Sequence, residues 1–218
     1  MIASYAFNSH YQPFQSNGRQ LPGLRLLEGG QFYTNEYAPV VVYEEGQMRL
    51  RFYRWGLHSA TESSLEKATP LTFAPARHLM QEKMYRIPVA SQRCLIPADG
   101  YYLNQGKVPF QQSFKLARED NATFCFAGIY DVWQKADGSL LNTFAIVSTP
   151  ACQHLKQFGL QMPLILPRNM EQAWLNPQTK LPQIAQILYR HANDKLRIQL
   201  VEELKEFAPT ELYPQVAA

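Results

Sequence analysis

The chain has 218 residues, 46% of them hydrophobic and 18% charged, with a formal net charge of +3. That balance excludes a disordered chain and suffices for one well-filled core. A charge this small, with no Lys/Arg cluster, permits nucleic-acid contact without arguing for it. The 12 Phe, 12 Tyr and 3 Trp favour β-rich structure over a helical bundle. Cys94, Cys125 and Cys152 suit neither a zinc site nor a disulfide framework, and each lies in or beside an apolar run. All three read as buried thiols, and neither metal nor cofactor is expected. The opening residues lack a basic region followed by a long apolar run, and no apolar run approaches the ~20 residues of a membrane helix. The expectation is a cytoplasmic protein with no membrane partner and an undetermined oligomeric state.

In chain order, Met1–Phe7 reads as a buried opening strand and Asn8–Gly30 as a loop punctuated by Pro and Gly. Pro39–Tyr43 and Met48–Trp55 form a hairpin about Glu45-Gly46, with Arg49, Arg51 and Arg54 on its wet face. Ser59–Pro70 is a polar surface excursion, and Arg77–Tyr85 has helical spacing. Arg93–Ile96 is a short buried strand that breaks at Asp99-Gly100 and presents Tyr101 and Tyr102, a plausible pocket wall or an ordinary strand–turn–strand element. Strands follow at Phe110–Leu116 and Thr123–Trp133. Asp137-Gly138 turns the chain into Leu141–Ser148. Thr149 reads as the N-cap and Pro150 as the first residue of a helix over Ala151–Phe158. Pro163–Leu166 is a strand, Met170–Leu175 and Leu181–His191 are helices, and Arg197–Val201 is a last strand. The pattern predicts an α+β fold, a single domain over residues 1–218 with a curved, barrel-like, mostly antiparallel sheet flanked by short helices.

Several blocks occur in an order that resembles one family. They are Ala38-Pro39, Arg54-Trp55-Gly56-Leu57, Ala76-Arg77, Arg93–Tyr102 with its Ala98-Asp99-Gly100, Phe126–Trp133, Ala145–Thr149 and Met162–Leu166. Together they resemble the SOS response-associated peptidase (SRAP) family from about residue 36 to about 175. The resemblance implies the SRAP fold and a relation to proteins that capture abasic sites in single-stranded DNA. In such members the amine and thiol of an N-terminal cysteine close a thiazolidine on the sugar aldehyde, assisted by an Asn, a Glu and a His. At the matching positions this chain has Ile2, Pro75, Leu103 and Gly159. No catalytic residue is therefore assigned, and these four are expected to meet in a closed, apolar pocket.

The family's DNA-contacting positions are thinned as well, with Ser4 in place of an early arginine and no ring in His58–Glu62. Arg77, Trp55 and Pro39 remain as nucleic-acid-binding candidates. Arg77 could hold a phosphate bidentately or serve a structural ion pair. Trp55 suits a core or barrel-mouth position. Three functions stay open: an inactive SRAP-like paralogue that binds single-stranded DNA or a partner; an enzyme with relocated groups, such as His58, His78 and Asp99; and a structural or partner-binding domain.

Overall fold

The computed structural model describes residues 2–7, 30–59, 69–106, 112–135, 137–189 and 196–201, so the loop expected before Gly30 and most of Ser59–Pro70 lie outside the described residues. The strands are β1 (Ile2–Phe7), β2 (Gly30–Tyr33), β3 (Tyr37–Glu44), β4 (Gln47–Trp55), β5 (Phe73–Pro75), β6 (Arg93–Ala98), β7 (Gly100–Gln105), β8 (Gln112–Arg118), β9 (Phe124–Gln134), β10 (Leu140–Pro150), β11 (Gln161–Pro163), β12 (Ile165–Leu166) and β13 (Leu196–Val201). The α-helices are α1 (Ala76–Leu79), α2 (Arg86–Ser91), α3 (Arg168–Leu175) and α4 (Leu181–Leu188), with 3-10 turns at Lys83–Tyr85 and Gln153–Phe158. Among the described residues, no helix is long and apolar enough to cross a membrane.

Strands β10, β4, β3, β6 and β9 pair in that order, and β9 pairs back onto β10, so the five close into a barrel. A second sheet runs β13-β8-β7-β1-β2. The alternation of side chains along each strand explains the barrel's two-sided burial. Ala38, Val40, Val42, Tyr53, Trp55, Cys94, Ile96, Phe126, Phe144 and Ile146 point inward, where Tyr5, Tyr101 and Leu103 of the second sheet join them. Val41, Leu95, Ala127, Ile129, Ala145 and Val147 point outward and are covered by Leu79, Val89, Trp174 and Ile184. The inner face is narrow. A Cβ on Gly128 would stand 2.2 Å from Ile96 Cδ1 and 2.8 Å from Cys94 Sγ.

The central stretch crosses from one sheet to the other. β6 belongs to the barrel and β7 to the second sheet, with Asp99 as the junction. Asp99 N–H donates to Ala6 O at 2.8 Å, and Thr123 Oγ1 bonds its carboxylate. Gly100 is needed for close approach, not for a left-handed turn: a Cβ there would lie 2.9 Å from Leu116 O.

Two helical expectations need correction. Arg77–Tyr85 is not one helix, because Leu79 and Tyr85 both enter the outer cluster. Six residues apart, they would sit about 120° apart on a straight helix. The chain instead breaks at Glu82, which is extended (φ −83, ψ 135). Nor does Thr149 cap a helix. β10 runs on through Pro150, with Thr149 opposite Met162 and Pro150 opposite Gln161. Local capping yields here to a strand ladder, and only Gln153–Phe158 turns, as 3-10. The expected strand Pro163–Leu166 is divided between neighbours. Leu164 N–H donates to Val147 O at 2.8 Å and Leu164 O accepts from Ala127 N–H at 2.9 Å, passing the chain from β10 to β9.

Arg93 fastens the helices to the barrel. Its Nε donates to Trp174 O (2.5 Å), Nη1 to Val89 O (2.6 Å) and Ala90 O (2.5 Å), and Nη2 to Asn176 O (2.6 Å). Arg93→Met removes every one of these donors and strands the buried Trp174 and Val89 carbonyls at about 1–3 kcal/mol each, with smaller losses at the more exposed Ala90 and Asn176. Urea denaturation should therefore show a loss of at least about 3 kcal/mol with an unchanged m-value.

Glu171, in the first turn of α3, is only 3% exposed. Burial pushes its carboxyl up to about 7, against smaller opposing effects of Arg168 and of a hydrogen bond with Cys125. The folded chain thus holds a proton that the unfolded chain, with a carboxyl near 4.5, releases. The stability that this protonated carboxyl contributes is fully present below the unfolded value and is lost as pH rises towards about 7, on the order of 2–3 kcal/mol. Denaturation midpoints against pH should show that slope in the parent chain and a flatter one in Glu171→Gln.

Candidate nucleic-acid site

Two of the four replaced positions meet where β1 pairs β7. Ile2 lies directly opposite Leu103. The Leu103 side chain is 1% exposed and belongs to the barrel's interior cluster with Leu155. Phe114 is its partner across β8, and the Phe114 ring meets Phe158 edge-on at 4.9 Å, which brings in the neighbouring Gly159. Pro75 lies on β5, opposite Ser148 of β10, and Ser148 is in turn opposite Pro163. At Leu103 an apolar side chain therefore fills ground that a polar group would need solvent or a partner to occupy.

Of the three nucleic-acid candidates, Arg77 alone is exposed. It is the second residue of α1, immediately after the Pro75-Ala76 step. Its Nε donates to His78 Nε2 at 3.0 Å, and His78 Nδ1 lies 2.9 Å from Glu82 Oε1. The acceptor role of Nε2 puts the imidazole proton on Nδ1, facing the glutamate. This relay holds the guanidinium, whose two terminal nitrogens make no hydrogen bond among the described residues, the fork a phosphate would require. Trp55 and Pro39 need correction as contact residues, because both are buried, Trp55 inside the barrel and Pro39 on its outer side beneath its neighbours. Trp55 has no exposed surface, its Nε1–H donates to Thr72 O at 3.0 Å, and its ring stacks on Phe144 at 6.5 Å. Pro39 is buried within β3.

His58 and Asp99 do not assemble, and His78 bonds Arg77 and Glu82 instead. His58 N–H donates to Thr143 Oγ1, opposite Asp131 on β9, whereas Asp99 follows the partner of Phe124. Seven strand residues separate those two levels, about 23 Å at 3.3 Å per residue. Cys152 departs from the buried-thiol expectation by being only partly buried. Its sulfur lies 3.8 Å from His154 Nε2. Among the described residues, no three His, Cys, Asp or Glu side chains converge as metal ligands.

The rings missing after Trp55-Gly56 reappear on the barrel's outer face. Tyr37 is 57% exposed and Phe52 50%. Tyr37 is opposite Arg54 and Pro39 opposite Phe52, so the two rings and the guanidinium share one face as close cross-strand neighbours. Arg54 is braced there by Asn35, through O at 3.2 Å and Oδ1 at 3.3 Å. Sequence alternation hid this because it suggested that the arginines face water and the apolar residues face inward. Arg49 and Arg51 in fact lie at the level of Val42 and Val40 and pair with Glu45 and Glu44, while Phe52 faces out.

A comparison with known proteins places this architecture. The family profile described as SOS response associated peptidase (SRAP) matches residues 31–204. The chain belongs to the SRAP family. Among curated relatives, the abasic site processing protein YoaM of Bacillus subtilis is 30% identical over 153 residues, 68% of this chain and 66% of its own length. The abasic site processing protein YobE of the same organism is 29% identical, with 68% of each chain covered. The alignment thus spans about two thirds of these SRAP relatives. In fold, the chain is similar to solved proteins from Bacteroides thetaiotaomicron (TM-score 0.72, 23% identity, 85% of each chain) and Bordetella bronchiseptica (TM-score 0.74, 16% identity, 92% of this chain and 100% of the other).

The apolar filling at Leu103 has a direct test. Leu103→Glu places a carboxyl in the SRAP interior with no designed partner, costing about 1–3 kcal/mol or more. Thermal melts should show a lowered Tm at neutral pH and partial recovery under acid, where the introduced carboxyl is protonated. An unchanged Tm at both pH values would mean that the position is open to water.

Proposed function

We propose that this SRAP member recognises single-stranded DNA, abasic sites included, by non-covalent contacts and without forming a stable thiazolidine. The carrying observation is Leu103, which is buried, paired with Ile2, and set in an apolar cluster where resemblance to the family calls for a glutamate. A thiazolidine needs an amine and a thiol on one carbon and groups that move protons. Ile2 supplies no thiol, and Leu103 and Gly159 can transfer no proton. The relation to abasic site processing proteins supports the choice of ligand. In this reading the chain is one SRAP-like domain working in the cytoplasm.

Recognition would use two features: the Arg77 guanidinium for a phosphate, and the Tyr37–Arg54–Phe52 face for stacking a base. Both are compatible with a small net charge, since stacking does not depend on sequence or on a large positive field. The test pairs a denaturing gel with a binding titration. Abasic single-stranded DNA incubated with the protein should give no band that survives denaturation. Affinity for a single-stranded oligonucleotide should fall with rising salt. Arg77→Ala should weaken it roughly tenfold and reduce the salt slope by about one unit. A salt-independent affinity, or a denaturation-stable adduct, would overturn the reading.

A further inference from the structure

The second sheet ends on β13, and among the described residues no strand pairs with that strand's far edge. Edge strands present unpaired backbone N–H and C=O groups, and proteins ordinarily blunt them by shortness, bulges, Pro or charge. The other outlying strands are short, with four residues in β2, three in β11 and two in β12. β13 has six, Leu196-Arg197-Ile198-Gln199-Leu200-Val201, with no Pro and a single charge. Its register against β8 runs one to one from Leu196 opposite Arg118 to Val201 opposite Ser113, without a bulge. The strand also carries an uncovered apolar end. One row of directly opposed residues crosses the sheet from Ile2 through Leu103 and Phe114 to Leu200. Leu103 is buried and Phe114 packs on the interior cluster, but Leu200 is 57% exposed.

We propose that β13 is a pairing edge for a second copy of this chain, the two strands running antiparallel about a two-fold axis at Ile198. The alternation of side chains supports both the occupant and the register. Leu196, Ile198 and Leu200 share the face turned to the barrel, since Leu196 and Ile198 pack on the interior cluster and Leu200 is opposite Phe114. Arg197 and Gln199 are exposed on the other face, where Arg197 Nη2 donates to Asn121 Oδ1 at 3.1 Å. Centred on Ile198, the pairing sets Leu200 opposite Leu196 of the second copy and the two Ile198 side chains opposite each other. The apolar row continues into the second copy and the exposed Leu200 is covered. On the other face Arg197 meets Gln199 of the second copy, so the strand's one cation faces a neutral acceptor; an axis at Arg197 would set like charges opposite each other. Such a contact uses the same surface on both copies and closes at two. Strand addition supplies backbone hydrogen bonds, and the matched side chains select the partner. A single strand pair is a small interface, so the dimer is weak and dissociates in the micromolar range.

The test is sedimentation of the full chain across micromolar concentrations, where a reversible monomer–dimer equilibrium is expected. Leu200→Lys puts a cation into the apolar contact on both sides of the axis and should weaken dimerisation at least roughly tenfold. Gln199→Lys sets like charges against Arg197 of the second copy and should weaken it roughly tenfold, whereas Gln199→Glu should tighten it by a similar factor, a gain that high salt removes. Gln199 is also opposite Lys115 within one copy, so thermal melts of the dilute variants serve as the control and should match the parent's Tm closely. If Leu200→Lys does not fold, the opposite responses of the two Gln199 variants still decide. A chain that stays monomeric throughout would overturn the proposal. So would a dimer indifferent to these substitutions, which would associate through another surface.

Discussion

The Arg93 guanidinium is the interaction on which the rest of this structure leans. Helix ends concentrate orphan carbonyls and the negative end of the helix dipole. One buried cation here meets the last carbonyls of α2 and the end of α3 together. The same side chain lies 6.0 Å from the Trp174 ring, and Trp174 Nε1–H donates to Cys94 O beside it. Two short helices with little independent stability are thereby held against the outer face of the barrel. Arg93 also opens β6, so the strand that anchors the helices is the one that delivers Asp99, Gly100 and Tyr101 to the second sheet.

Closure of a five-stranded barrel leaves little internal room, and this constraint runs through the site. Glycine at 128 lets β6 and β9 approach, and Trp55 fills the interior with three aromatic neighbours, Tyr5, Phe73 and Phe144. A residue so enclosed shapes the wall of a ligand site but cannot touch the ligand. Polar chemistry is correspondingly pushed to the rim, where Arg77 is steered by His78 and Glu82 and where Cys152 meets His154. The interior below Leu103 is apolar apart from buried tyrosine hydroxyls such as those of Tyr5 and Tyr101.

The same logic separates positions that resemble a family from positions that can act. Leu103 resembles its family position in place but not in chemistry, and its burial makes the difference physical: an apolar side chain removed from water stabilises the fold by roughly 25 cal/mol per Å². The Tyr37–Arg54–Phe52 face is the reverse case. It has no motif, but register and exposure assemble it.

Strand content, the two tight hairpins at Glu45-Gly46 and Asp137-Gly138, and family membership were legible in the chain itself. Apolar runs, turn residues and ordered motif blocks are local, and local geometry satisfies them. The strand Ile2–Phe7 and the apolar replacement of the four site positions were legible for the same reason. Tertiary structure alone decided where helices stop and which side chains reach water. Thr149 and Pro150 carry a helix start, yet pairing with Gln161 and Met162 keeps them in β10. Arg77–Tyr85 has helical spacing, yet Leu79 and Tyr85, which one straight helix would point apart, must both reach one outer cluster. Phe52 sits among arginines in sequence, and barrel closure turns it outward. Arg93 and the Cys152–His154 pair depend on partners between 2 and 83 residues away in sequence, and for the distant ones no local pattern encodes that proximity.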